Sequence, residues 1–310
     1  MGRPSAAIHL DTPLIESLAL RRHRSQRVFL KMEALQPCGS FKIRGIGFAC
    51  QRHRAAGCRR FVASSGGNAG LAVAYAGRRL GVPVTVVVPQ STSEHARRLI
   101  RDEGAEVVVC GQSWQEAHQH ALTLLDDDAA YLHPFDDPLL WEGHASLVDE
   151  VLAAGLDPDA IVLSVGGGGL LCGIAAGLEK ARRADVTIVT AETAGAESFY
   201  RSVQAGELVA LERISSIATT LGAKRVAPRA LEVSRQFKVA PHVVTDREAI
   251  DACLRFADDH RVVVEPACGA ALALLYGGAE VLRGAKDVLV IVCGGAGVSY
   301  AKLLELRDAV

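Results

Sequence analysis

Lys42 stands in the segment Gly39-Ser40-Phe41-Lys42-Ile43-Arg44-Gly45, a short apolar stretch with glycine at both ends. The chain carries 27 Arg against 7 Lys. A lysine kept here, with Arg44 two residues on, suggests a task that arginine cannot do. A guanidinium stays charged, whereas a buried ammonium can lose its proton and become a nucleophile. On the heptad alone, a surface lysine near a helix start fits equally well.

Three glycine-rich turns add a second kind of chemistry. They are Ala63-Ser64-Ser65-Gly66-Gly67-Asn68-Ala69-Gly70, Ser164-Val165-Gly166-Gly167-Gly168-Gly169-Leu170-Leu171 and Val292-Cys293-Gly294-Gly295-Ala296-Gly297-Val298-Ser299. Each follows a strand-like run and precedes a helical pattern. In open α/β sheets, a strand end leading into a helix N-terminus is where anions bind. Glycine lets backbone N–H groups approach a phosphate with no Cβ in the way. The run Gly166 to Gly169 is the strongest cradle. Glycines inside a helix would cost about 1 kcal/mol each relative to alanine, so these belong to a loop. A tight turn with close strand–helix packing is the alternative. None of the turns has the G-x-G-x-x-G spacing, and no G-x-x-x-x-G-K-[ST] occurs. A small phosphorylated cofactor therefore fits better than a dinucleotide or a nucleoside triphosphate. Combined with a buried lysine, the pattern suits pyridoxal phosphate, whose aldehyde takes an amine as an imine and whose ring is an electron sink.

The elements that must position these residues repeat as strand, glycine, helix. Apolar β-branched runs lie at 28–32, 61–63, 84–88, 106–109, 161–165, 186–190, 262–264 and 288–292. Gly57, Gly81 and Gly104 close helical segments before strands. Ser91-Thr92-Ser93-Glu94 and Thr245-Asp246-Arg247-Glu248 both fit a capping box. Near-continuous apolar strands alternating with helices predict an α/β fold with parallel sheets covered on both faces. Residues 37–139 read as three strands and four helices, ending in the polar, proline-containing stretch His133-Pro134-Phe135-Asp136-Asp137-Pro138. That stretch is the expected boundary between a small α/β domain (37–139) and a large domain built from 1–36 and 140–310. Periodicity fades again over 208–228.

Composition excludes several classes. At 310 residues, 49% hydrophobic and with a net charge of -1, the chain can bury about two cores and shows no bias toward nucleic acid or an anionic membrane. Eight cysteines form no C-x-x-C pair and no zinc-like grouping. The N-terminus lacks the apolar core of a signal peptide, and Ala6 stands where a myristoylation signal needs Ser or Thr. No run is long enough to span a bilayer. A reduced, cytoplasmic protein is expected.

The chain resembles the serine/threonine dehydratases, the β-elimination branch of fold-type II pyridoxal-phosphate enzymes, and is most similar to their single-domain serine dehydratases. The likeness runs through Gln36-Pro37-Cys38-Gly39-Ser40-Phe41-Lys42, the Asn68 turn, Pro134-Phe135-Asp136-Asp137-Pro138, Trp141-Glu142-Gly143-His144-Ala145-Ser146, the four-glycine run, Glu265-Pro266-Ala267-Cys268-Gly269 and Cys293-Gly294-Gly295. The resemblance implies a tryptophan synthase β-like fold, with two open, twisted, mostly parallel sheets flanked by helices. It implies that Lys42 is catalytic and bonds the cofactor aldehyde. Phe41 would lie against the pyridine ring, and Asn68 would meet the ring hydroxyl. Gly166, Gly167, Gly168, Gly169 and Leu170 would hold the phosphate, and Cys293 would face the pyridine nitrogen as a neutral thiol. Ser65, Gly67 and Asn68 would take the substrate carboxylate. A monovalent cation, potassium, would be held by Glu192 with backbone carbonyls of Gly166, Ala196, Leu221 and Ala223. The activity implied is dehydration and deamination of L-serine and L-threonine to pyruvate and 2-oxobutyrate, by a homodimer.

The chain departs from this pattern in places. Gly66 stands where many relatives carry alanine, which would loosen the substrate turn and leave the serine/threonine preference open. Ala296-Gly297-Val298 replaces more polar residues. A regulatory C-terminal domain is not expected. A serine racemase or a β-replacement enzyme of the same fold is the competing enzyme reading. A non-catalytic binding protein is the other class.

Overall fold

The computed structural model describes residues 7–21 and 26–310. Ala6, on which the myristoylation reading rests, lies outside them. Among the described residues the strands are β1 (Leu14–Glu16), β2 (Arg27–Lys31), β3 (Arg60–Ala63), β4 (Val84–Val88), β5 (Glu106–Val109), β6 (Ala129–Leu132), β7 (Ala160–Ser164), β8 (Thr187–Thr193), β9 (Val239–Val244) and β10 (Asp287–Ile291). The helices are α1 (Leu18–Arg21), α2 (Lys42–Ala55), α3 (Asn68–Leu80), α4 (Glu94–Asp102), α5 (Trp114–Thr123), α6 (Pro138–Ala153), α7 (Gly169–Lys180), α8 (Ser198–Ala205), α9 (Pro228–Gln236), α10 (Asp246–His260), α11 (Pro266–Tyr276) and α12 (Tyr300–Ala309).

Two sheets result. The larger runs β1-β2-β10-β7-β8-β9 and the smaller β5-β4-β3-β6. Every pairing is parallel except that of β1 with β2. β4 and β7 are buried along their whole length, as strands covered on both faces must be. The larger core joins Leu30, Ile161, Val162 and Val290 to Phe199 and Phe256. The smaller gathers Phe61, Val86, Val88 and Ile100.

Helix α2, which starts at Lys42, packs almost backbone to backbone on α6. A Cβ on Gly45 would lie 2.6 Å from the Leu140 carbonyl oxygen, and one on Gly143 would lie 2.7 Å from the Gly45 Cα. Only glycines allow this approach, so the second glycine of the lysine heptad is there for packing.

Several sequence expectations change. Residues 262–264 form no strand; they cross from α10 to α11, and Pro266 starts the next helix at once. Residues 37–139 hold four strands, because β6 carries Ala129 and Ala130 where β-branched residues would have announced it. The proline-containing β9 is an edge strand, where a missing N–H is tolerated. Ser91 is not a cap: Ser93 is the N-cap of α4 and accepts the Ala96 N–H at 3.2 Å. Thr245 and Glu248 do form the expected box, with the Thr245 N–H donating to the Glu248 carboxylate at 2.7 Å.

Candidate active site

The Gly39–Phe41 segment is stitched to the third glycine loop. The Gly295 N–H donates to the Gly39 carbonyl at 2.8 Å, and the Phe41 N–H to the Cys293 carbonyl at 3.2 Å. Gly294 sits at φ +85, and a Cβ there would lie 2.3 Å from the Gly39 oxygen. This close approach delivers Lys42 to the first turn of α2, beside the strand end of β10.

The Lys42 amine donates to the Pro134 carbonyl at 2.6 Å. The Pro134 turn is held in turn by His133, whose Nδ1 accepts the N–H groups of Phe135 (3.2 Å) and Asp136 (2.7 Å). Lys42 is half-buried, and burial lowers its amine from 10.5 to about 8. Cys293 and Glu265 nearby oppose that shift without cancelling it. The reactive form of an amine is the neutral one, so its reactivity rises with pH until the group is fully deprotonated. Lys42 is expected to react with a carbonyl probe at a rate that climbs through pH 8 and levels off near pH 9, whereas an ordinary lysine still climbs there. Labelling rates at Lys42 against pH, read by peptide mass, check this.

Phe41 lies beside the amine, 5.2 Å from ring centre to Nζ. Behind Phe41 is His144, 5.0 Å away between ring centres. Burial first, and then the charges of Lys42 and Arg44, push the His144 imidazole well below its usual 6.5. It is therefore neutral and adds no positive charge beneath the lysine.

The four-glycine loop meets the test for an anion cradle. α7 begins at Gly169, and its first-turn N–H groups have no intrahelical partner. A Cβ on Gly167 would lie 2.1 Å from the Phe135 ring, and one on Gly166 3.0 Å from the Leu221 Cα. Gly168 takes φ +91. No side chain can stand in this loop, so backbone alone faces the ligand. The residues present thus fit a phosphate, and the Lys42 amine fits an aldehyde.

Asn68 opens α3 and reaches across to the larger sheet's side of the site. Its Nδ2 donates to Glu265 Oε1 at 2.7 Å, and its Oδ1 accepts the Ala296 N–H at 3.0 Å. Ser65 accepts the Gly67 N–H at 3.4 Å. The space at Gly66 is filled rather than loose: a Cβ there would lie 2.5 Å from Thr92 Oγ1. Cys293 is buried, and its thiol is raised well above 9, first by Cys268 and then by burial, so it stays neutral.

Glu192 lies within β8, not beyond it. Its carboxylate accepts the N–H groups of Phe199 (2.9 Å) and Tyr200 (2.6 Å) at the start of α8, yet burial still raises it to about 8. Gly166 and Leu221 are adjacent, while the Leu221 carbonyl already accepts the Ala223 N–H at 2.7 Å. Ala196, another expected ligand, is buried ahead of α8. Ser198 Oγ, at the head of α8, is buried with no hydrogen-bond partner.

Sequence reasoning gave no role to Pro134, Thr220, Ser198 or Glu265. Only Glu265 had a visible signal: an acid before a proline that starts a helix would ordinarily cap it, but this side chain does not.

Residues 7–294 match the family of pyridoxal-phosphate dependent enzymes, so the chain belongs to that family. It is a fold-type II enzyme and a lyase. The chain is 50% identical over 309 residues to the serine dehydratase-like protein of Mus musculus, covering 96% of this chain and 94% of that one. It is 45% identical over 314 residues to the L-serine dehydratase/L-threonine deaminase of Homo sapiens, covering 97% and 95%. The fold matches a fungal L-serine ammonia-lyase from Rhizomucor miehei with a TM-score of 0.92 at 40% identity, over 97% and 98% of the two chains.

Proposed function

We propose that this protein is a pyridoxal-phosphate-dependent dehydratase that converts L-serine to pyruvate and ammonia, and L-threonine to 2-oxobutyrate and ammonia. The observation that carries this reading is the Lys42 amine, with a pKa lowered to about 8, beside the Cys293 loop. Lys42 is the catalytic residue. Phe41, Asn68, Cys293 and the segment Gly166 to Leu170 hold the cofactor, and Ser65, Gly67 and Asn68 meet the substrate carboxylate.

When bound, the cofactor supplies a carbonyl for the substrate amine and a ring that withdraws electrons from Cα. With its pKa lowered to about 8, the neutral form of the Lys42 amine would take the Cα proton. The β-hydroxyl would leave with the equivalent of that proton as water, and hydrolysis of the enamine would give the 2-oxo acid and ammonia. Phe41, whose ring centre lies 5.2 Å from the amine, would shield one side of it from water. The neutral Cys293 thiol would offer the ring nitrogen only a weak hydrogen bond, which would favour prompt loss of the β-group.

A monovalent cation, potassium, belongs to the same proposal, with Glu192 and the carbonyls of Gly166, Ala196, Leu221 and Ala223 as ligands. The orphaned Ser198 hydroxyl and the buried Glu192 carboxyl support it, since a cation would satisfy both. Potassium at 100 times its Kd is expected to stabilise the protein by about 2.7 kcal/mol. Glu192→Gln should remove that gain, with sodium-free thermal melts as the measurement. The proposal extends to a small domain at 37–139 and a large one from 1–36 and 140–310, a homodimer, and a cytoplasmic setting.

The deciding experiment incubates the cofactor-loaded protein with L- and D-serine and L- and D-threonine. The expected result is 2-oxo acid from the L-isomers, in step with ammonia. D-serine recovered from L-serine without 2-oxo acid would instead identify a racemase.

A further inference from the structure

Three segments that carry proposed site residues come from distant parts of the chain. They are the Asn68 turn, the Thr219–Leu221 turn and the glycine loop after β10. All three meet at one carboxyl group. Glu265 is 5% exposed. Its Oε1 accepts Asn68 Nδ2 at 2.7 Å and Thr220 Oγ1 at 2.6 Å. A backbone hydrogen bond from Gly297 reaches it as well. A Cβ on Gly295 would lie 2.0 Å from the Glu265 carboxyl carbon, so that glycine leaves the room the carboxyl fills.

Glu265 is also the N-cap residue of α11, yet its side chain makes no cap bond. It points into the site instead, so helix capping does not explain it. Its position does have a consequence for Asn68. A side-chain amide can present either end, and its partners decide which. The Ala296 N–H needs an acceptor and takes Oδ1. The Glu265 oxygen needs a donor and takes one Nδ2 hydrogen. One Nδ2 hydrogen remains for a ligand.

We propose that Glu265 is a positioning residue, which fixes the Asn68 amide in the orientation that leaves one N–H for the cofactor and ties the Thr220 turn and the third glycine loop to it. This rests on the pyridoxal-phosphate reading above, but its first test does not need activity. In ligand-free protein, Glu265→Ala should speed amide deuterium exchange of the loop containing Ala296 about tenfold, the equivalent of roughly one lost hydrogen bond. In the loaded protein it should weaken pyridoxal phosphate binding about tenfold and shift the visible absorption band. Glu265→Gln keeps an Oε1 acceptor and should restore exchange and affinity to within about threefold of wild type. Thr220→Val should fall between the two. Wild-type exchange and affinity in Glu265→Ala would overturn the proposal. So would a Gln variant as impaired as the Ala variant, because a carboxylate charge rather than an orientation would then be needed. If the loaded wild type makes no 2-oxo acid, the dehydratase reading fails, while the exchange and affinity comparisons still decide the role of Glu265.

Discussion

Lys42→Ala is expected to lower 2-oxo acid formation from L-serine by about 10⁴-fold, the upper range for loss of a general base, and to abolish the imine absorption of the loaded protein. Both effects have one origin. Lys31 is 2% exposed, donates to the Thr12 carbonyl at 2.7 Å and sits 2.5 Å from Glu150. Its amine is engaged by both of these partners and cannot substitute. Lys42 has no carboxylate partner at hydrogen-bond distance; its amine meets a neutral carbonyl oxygen. Burial lowers the Lys42 amine to about 8, and no carboxylate at hydrogen-bond distance reverses it. Lys42→Arg should be nearly as inactive, since a guanidinium cannot deprotonate at working pH. Activity within tenfold of wild type in either variant would contradict this role.

Arg44→Ala is expected to cost about 3–5 kcal/mol of stability, because it strands buried carboxylates. The guanidinium is fully buried and grips Glu33 with both Nε (2.7 Å) and Nη2 (2.8 Å). It also grips Glu150 through Nη2 at 2.7 Å and through Nη1. Glu33 is itself fully buried, and its other partners, Thr12 and Gln36, are neutral. Without Arg44 it is left buried with no cationic partner. Arg44 lies two residues from Lys42 on α2, so this buried network also anchors the turn that carries the amine. Urea unfolding of the cofactor-free protein measures the loss. A change below about 1 kcal/mol would mean that Lys31 alone neutralises the cluster. Arg44→Lys should recover only part, since an ammonium cannot make the two-pronged contact.

Much of this was legible in the sequence, for identifiable reasons. The parallel strands β4, β7 and β10 announced themselves as apolar, β-branched runs, and the glycine loops marked the carboxyl ends of β3, β7 and β10. Lys42 stood out because lysine is scarce here. The strands that escaped notice are those whose residues lack β-branched character or include proline, as in β6 and β9. The site partners that escaped notice are long-range or belong to the backbone. Pro134 acts through its carbonyl, which leaves no mark on residue type. Glu265 meets Asn68 across 197 residues and Thr220 across 45, and Glu33 meets Arg44 across 11. Spacing alone carries no sign of such pairs. Gly66 shows the opposite error: a missing methyl suggests slack, but the Thr92 side chain occupies the place.

The most direct measurement reduces the cofactor-loaded protein with borohydride, digests it and maps the mass of one pyridoxyl group. The chemistry described here predicts that mass on the peptide containing Lys42, at one per chain, with Lys31 and the remaining lysines unmodified. A label distributed among other lysines, or a loaded protein that reduction leaves unlabelled, would contradict it.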